Sequence, residues 1–160
     1  MKLLVPVDGS SASLNAVIKS IEIAVKHGFS IKLITVVDTD KFSWYKRNEK
    51  LWRQVDGSII QENDELAKKF EERIKEDSSK LLDSIVNKFD FSDIEVEKEI
   101  LLGEPYVKII ETAKNEKFDL IVIGNRGFTK IKRFFVGSVT QRVISDAPCP
   151  VLVIHTDAEK

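Results

Sequence analysis

The stretch FDLIVIGNRGFTKIKRFFVGSVTQRVISDAPCPVLV, from Phe118 to Val153, decides the reading of the chain. A short apolar segment, Leu120 to Ile123, runs into Gly124, and after two intervening residues stands Gly127. Nine further residues separate Gly127 from Gly137 and Ser138, where the apolar spacing of a helix begins and continues to Ala147. A glycine directly after a strand permits a sharp turn and a close backbone approach to a ligand, because no Cβ intervenes. A Gly-Ser pair opening a helix offers unpaired N–H groups and a hydroxyl at the end where the helix dipole favours negative charge. Together these features predict a phosphate cradle, with a nucleotide as its ligand. A tight βα connection without a ligand also needs glycine, so the case rests on Gly137-Ser138 standing at the right spacing from Gly124 and Gly127.

The rest of the chain repeats one rhythm. Leu3 to Val7 is a continuous apolar run, the pattern of a strand covered on both faces. Asp8-Gly9-Ser10-Ser11 supplies turn and cap residues, and Leu14, Val17, Ile18, Ile21 and Val25 then follow at helical spacing up to Gly28. Ile31 to Val37 is a second strand. Asp38 to Gly57, with Trp44 and Trp52, breaks the pattern and is long for a connection.

Helix resumes over Gln61 to Phe89, with Leu66, Phe70, Ile74, Leu81 and Ile85 on one face. Asp64/Lys68, Glu65/Lys69, Glu71/Lys75 and Glu76/Lys80 are acid-then-base pairs at i,i+4, each contributing about 0.2–0.5 kcal/mol and marking a solvated face. Ile94 to Ile100 alternates with period two, as a half-exposed strand does. Gly103-Glu104-Pro105 opens a helix with Val107, Ile110 and Ala113 as its buried stripe. Leu120 to Ile123 and Val151 to His155 are the last two strands. Strands alternating with helices predict a parallel sheet covered on both faces, with ligands at the C-terminal strand ends.

Bulk composition narrows the function classes. A length of 160 residues suits one domain with a real core. A formal net charge of -1 gives no general attraction to nucleic acid or anionic membrane. No apolar run approaches the ~20 residues of a membrane span. One cysteine, Cys149, excludes an internal disulfide and fits a reducing, cytoplasmic setting. With only His27 and His155 beside it, neither a zinc set nor a Ser-His-Asp triad is assembled. Cys149, between two prolines at a strand entry, is expected to be a buried, inert thiol.

At this point the chain resembles the universal stress protein family, in its ATP-binding branch. The branch's motif, G-x2-G-x9-G-[ST], is matched without a gap by Gly124, Gly127, Gly137 and Ser138. LLVPVDGS is similar to the family's first strand and acidic turn, LITVVD to its second strand, LLGEPYVKII to its third-helix entry and APCPVLVI to its closing strand. Only 38–60 lacks the family pattern, and Asn125-Arg126 stands where Ser or Thr followed by His or Arg is common. The fold expected is a single α/β domain over 1–160, Rossmann-like, with an open parallel sheet of five strands in the order 3-2-1-4-5.

The resemblance implies ATP, with Mg²⁺ or Mn²⁺, as the ligand. Gly124 and Gly127 would shape the turn beneath the triphosphate, and Gly137, Ser138, Val139 and Thr140 would face phosphate oxygens through backbone N–H groups and the two hydroxyls. Simple N-capping by Ser138 is the competing reading. Asp8 would hold a divalent ion or else cap the helix that follows. Val36 would hydrogen-bond adenine through its backbone, and Pro6 and Val7 would line the adenine pocket or only the sheet. Arg126 invites a phosphate-clamp reading. Lys130, Lys132 and Arg133 read as a solvated loop, and the two tryptophans as packing their loop onto the body.

No general base, nucleophile or Walker lysine accompanies the cradle. Little or no turnover is therefore expected, and the resemblance implies a nucleotide-binding regulator of stress responses, homodimeric through its last strand, Pro150–His155. A slow metal-dependent ATPase or phosphotransferase and a non-catalytic scaffold are the alternatives.

Overall fold

The computed structural model describes residues 1–38, 60–126 and 136–155. In chain order these form β1 (Lys2–Pro6), α1 (Ser11–His27), β2 (Ser30–Val37), α2 (Ile60–Lys88), β3 (Val96–Leu102), α3 (Pro105–Asn115), β4 (Leu120–Gly124), α4 (Ser138–Asp146) and β5 (Val151–Ile154). The sheet order is β3-β2-β1-β4-β5, all parallel, as expected from the sequence. The third strand lies two residues later than the alternation suggested. Ile94 donates its N–H to Phe91 O (2.9 Å) in a turn, and the ladder to β2 starts only at Val96, opposite Ile31.

The continuous apolar run of β1 supplies both faces of the sheet. Leu3, Val5 and Val7 join Ala16, Val17 and Ala24 of α1 and Leu82 and Ile85 of α2 in one core. Leu4 points the other way, into a second core with Ile34, Ile121, Ile123, Ile109 and Ala113 of α3 and Val143 of α4. The helices therefore divide into α1 and α2 on one side and α3 and α4 on the other.

The buried face of α1 differs from the bulky stripe expected. Ile18 is 41% and Val25 62% exposed, whereas Ala12, Ser13, Ala16, Val17, Ser20 and Ala24 face the sheet. Small side chains let the helix axis lie close to the strands. At its amino end the approach is closest: a Cβ on Gly124 of β4 would stand 2.7 Å from the backbone carbon of Ala12 and 2.9 Å from its carbonyl oxygen. The helix is fixed at both ends. Ser10 caps it, its Oγ accepting from Ser13 N–H (3.3 Å), and Gly28 ends it in the left-handed region at φ 67°. In α3, Ile109 and Thr112 join Ala113 as the buried face, while Val107 and Ile110 are half-buried.

Lys32 interrupts the apolar pattern of β2 with its side chain only 6% exposed. Its Nζ lies 2.7 Å from Glu116, 2.8 Å from Glu99 and 3.1 Å from Glu97. Burial alone would lower its pKa, but the hydrogen bonds to Glu116, Glu99 and Glu97 outweigh this and raise it well above lysine's ordinary 10.5. A cation stabilised in this way contributes fully below its unfolded pKa and loses its contribution only as the pH climbs through the raised folded value.

Two outcomes follow from this packing. Gly124→Ala sets a methyl against backbone that cannot rotate away, and should lower stability by about 1–3 kcal/mol in urea unfolding. Lys32→Met leaves three half-exposed carboxylates without their cation and should cost about 1–3 kcal/mol at pH 7. The Lys32→Met deficit should be unchanged between pH 7 and about pH 9, below the ordinary lysine pKa, and shrink only as the pH climbs toward the raised folded value. Thermal midpoints across that pH series would check it.

Candidate functional site

β1 and β4 are neighbours, yet the chain leaves β1 toward α1 on one face and returns from β4 toward α4 on the other. This divergence opens a crevice outside the carboxyl ends of the two strands, the place where ligands bind in open parallel sheets. Its walls are the Val7–Ser10 turn, residues 124–126 and the amino end of α4.

The β1 side is braced by hydrogen bonds. Val7 donates its N–H to Ile34 O (2.8 Å), and its carbonyl accepts from Thr35 Oγ1 (3.0 Å). Asp8 does not cap α1; Ser10 does, and Asp8 holds Ser10 in place. Its Oδ1 accepts from both the N–H (2.9 Å) and the hydroxyl (2.5 Å) of Ser10. Ser10 Oγ also lies 3.4 Å from the carbonyl of Arg126, so the β1 turn touches the chain leaving β4. Pro6 is half-buried in register with Ile34, and Val36 is a half-buried strand residue opposite Leu101 that packs on the second core.

The α4 side departs from expectation in two respects. The N-cap is Gly137, with no side-chain cap, and Ser138 is the first helical residue, exposed. The Thr140 hydroxyl is buried and donates to the Gly124 carbonyl (2.9 Å), so it ties α4 to β4 and does not face outward. Gln141 is the first residue to bond back into the helix, to Gly137 O (2.9 Å), which leaves the N–H groups of Ser138, Val139 and Thr140 ahead of the ladder. Gly137 has φ -61° and ψ 150°, open to any residue, and among the described residues a Cβ there would meet nothing nearer than 3.5 Å. Among the described residues, neither conformation nor packing demands a glycine at this cap.

Gly124 is the last residue of β4 and its backbone is not left-handed; the close approach of Ala12 accounts for it. Gly127, Lys130, Lys132, Arg133, Trp44 and Trp52 lie outside the described residues. Arg126 is half-buried at the crevice.

Sequence reasoning met Asn125 only as a departure from the family pattern and gave it no role, whereas the structure places it at the junction of three elements. It is 4% exposed. Its N–H donates to Ile154 O of β5 (2.8 Å), its carbonyl accepts from Gly137 N–H (2.7 Å), and its Nδ2 lies 3.1 Å from Nδ1 of His155. Its Oδ1 is buried with no donor among the described residues, a deficit of about 1–3 kcal/mol.

Among the described residues, groups for covalent or acid–base work are not gathered at the crevice. His27 stacks on Phe29 at the far end of α1. Burial pushes the half-buried Cys149 thiol up, away from its reactive thiolate form. Among the described residues no group of three or more His, Cys, Asp or Glu side chains is placed to hold a metal ion, and Asp8 offers one carboxylate.

Comparison with known proteins agrees with this architecture. A universal stress protein of Methanocaldococcus jannaschii is 33% identical over 153 residues, covering 96% of this chain and 81% of its own. The structure of universal stress protein UspA from Lactobacillus plantarum superposes with a TM-score of 0.66 at 28% identity, covering 96% of this chain and 97% of that one. A universal stress protein family structure from Arabidopsis thaliana, determined with AMP bound, gives 0.60 at 20% identity over 100% of this chain and 94% of its own. The model of the Universal stress protein family matches residues 1–155, and the chain belongs to that family.

Proposed function

We propose that this protein binds an adenine nucleotide, ATP with Mg²⁺ or Mn²⁺, across the crevice between β1 and β4, and that binding biases its conformation or its partners in a stress response. The observation that carries this reading is the amino end of α4. A bare glycine cap that nothing among the described residues requires stands before three N–H groups outside the helical ladder, at the switch point of the sheet. An N-cap side chain there would occupy the space a phosphate oxygen needs. The AMP carried by the related plant structure supports the choice of an adenine nucleotide.

In this reading Gly137, Ser138, Val139 and Thr140 face the phosphates through their N–H groups, with Gly124 and Gly127 beneath and Arg126 alongside. Pro6 and Val7 line the base, the Val36 backbone hydrogen-bonds it, and Asp8 uses the carboxylate oxygen not engaged by Ser10 for the sugar or metal side. The metal comes with the nucleotide, held mainly by its phosphates, and would neutralise their charge. Thr140 takes part through its backbone alone.

Little or no turnover is expected, since His155 is paired with Asn125 and His27 lies at the far end of α1. The protein works in the cytoplasm as a homodimer through Pro150–His155, whose strand β5 ends the sheet with four half-buried apolar residues at its edge.

Calorimetric titration of ATP with and without Mg²⁺, beside Gly137→Asp, tests the reading. Aspartate is a good N-cap, so the variant should fold at least as well as the wild type while losing at least about tenfold in ATP affinity through charge repulsion. Undiminished binding by Gly137→Asp would refute the cradle. A flat wild-type titration, with no nucleotide released on denaturation, would refute nucleotide binding altogether. Phosphate release well above background would move the assignment to a slow ATPase.

A further inference from the structure

The chain spends buried polar capacity at Asn125 that its core does not need. The residue lies beyond the last strand position of β4, enclosed at 4% exposure, with one end of its amide on His155 and Oδ1 without a donor among the described residues. A buried polar group left partly unsatisfied opposes folding, and such departures from fold consistency concentrate at functional sites. Asn125 also accepts the N–H of Gly137, the cap of α4, while its own N–H is fastened to Ile154 of β5. The position of the cap relative to the sheet is thus set through this residue.

We infer that Asn125 is a positioning residue of the phosphate-binding end of α4, and that His155 is the brace that fixes its amide. This deepens the nucleotide reading above and rests on it. The backbone of Asn125 has limited torsional freedom once both its N–H and C=O are bonded; the contact to His155 restrains the remaining rotation, about the side-chain torsions. With the amide held, the Gly137 cap and the three N–H groups after it keep a fixed aim. Without it, residue 125 and the cap it carries gain freedom that a bound polyphosphate must remove. The base and sugar, on the β1 and β2 side of the crevice, lie outside this linkage. The inferred role is therefore selective: it acts on the phosphates of the ligand and leaves the nucleoside untouched.

The test is calorimetric titration of the full chain with ATP and, separately, adenosine, for wild type, Asn125→Leu, His155→Phe and His155→Gln. Asn125→Leu and His155→Phe should each lose about five- to tenfold in ATP affinity with under about twofold change for adenosine. His155→Gln, whose amide can pair with Asn125, should recover most of the loss. His155 is exposed on the single chain, so its variants report on the brace even if Asn125→Leu disturbs the fold, and because it ends the proposed dimer strand the titrations are read at equal oligomeric state, checked by sedimentation. Equal losses for both ligands, no loss in His155→Phe, or no recovery in His155→Gln would overturn the inference. A wild type that binds neither ligand would instead overturn the nucleotide reading itself.

Discussion

The contact on which the arrangement depends is the one between Ala12 and Gly124. It brings the amino end of α1 against the last residue of β4 at a distance that excludes even a methyl group. Everything at the crevice is referred to it. The Ser10 cap sits two residues before Ala12, so fixing Ala12 fixes the turn that Asp8 braces, and that turn then reaches the Arg126 carbonyl. Across the strand, the Gly124 carbonyl receives Thr140, which seats α4. Two helices on opposite faces are thus registered through one residue without a side chain. A core of larger residues would hold α1 farther out, as ordinary helix-on-sheet packing does, and the two walls of the crevice would separate.

Much of this was legible in the sequence. Continuous apolar runs at Leu3–Val7 and Leu120–Ile123 announce strands buried on both faces, and their alternation with helices leaves few topologies available. The spaced glycines mark the β4 exit and the α4 cap, which the structure sets side by side through the Gly137 N–H bond to Asn125 O. What the glycines do individually was not legible. Gly124 answers a helix on the other face, a long-range packing demand that local spacing cannot express, while Gly137 is the one the fold leaves unexplained among the described residues.

The misreadings share a cause. The apolar residues at helical spacing in α1 include Ile18 and Val25, which are exposed while alanines and serines face the sheet, because tight packing selects for small volume and a hydrophobicity pattern is blind to it. Lys32, which sequence reasoning did not single out, is surrounded by Glu97, Glu99 and Glu116, distant in sequence. Thr140 reads as a ligand-facing hydroxyl until its acceptor on the neighbouring strand appears. In each case the decisive partner comes from another element, and a single sequence carries no sign of the pairing.

The central position of β1 has a bearing on when the molecule becomes competent. β1 precedes every other element in the chain, yet one of its two neighbours, β4, lies more than a hundred positions on; the Lys2 N–H meets Asp119 across a separation of 117 residues. β2 can pair with β1 early, forming half a sheet with one of the two cores. The crevice does not exist in that half. It exists only once β4 lies beside β1 and α4 has folded back, a closure over more than a hundred residues and therefore an entropically costly one. A ligand of this crevice consequently has no affinity for nascent or partly folded chain. Its occupancy registers completion, and by mass action it favours the finished molecule over every precursor.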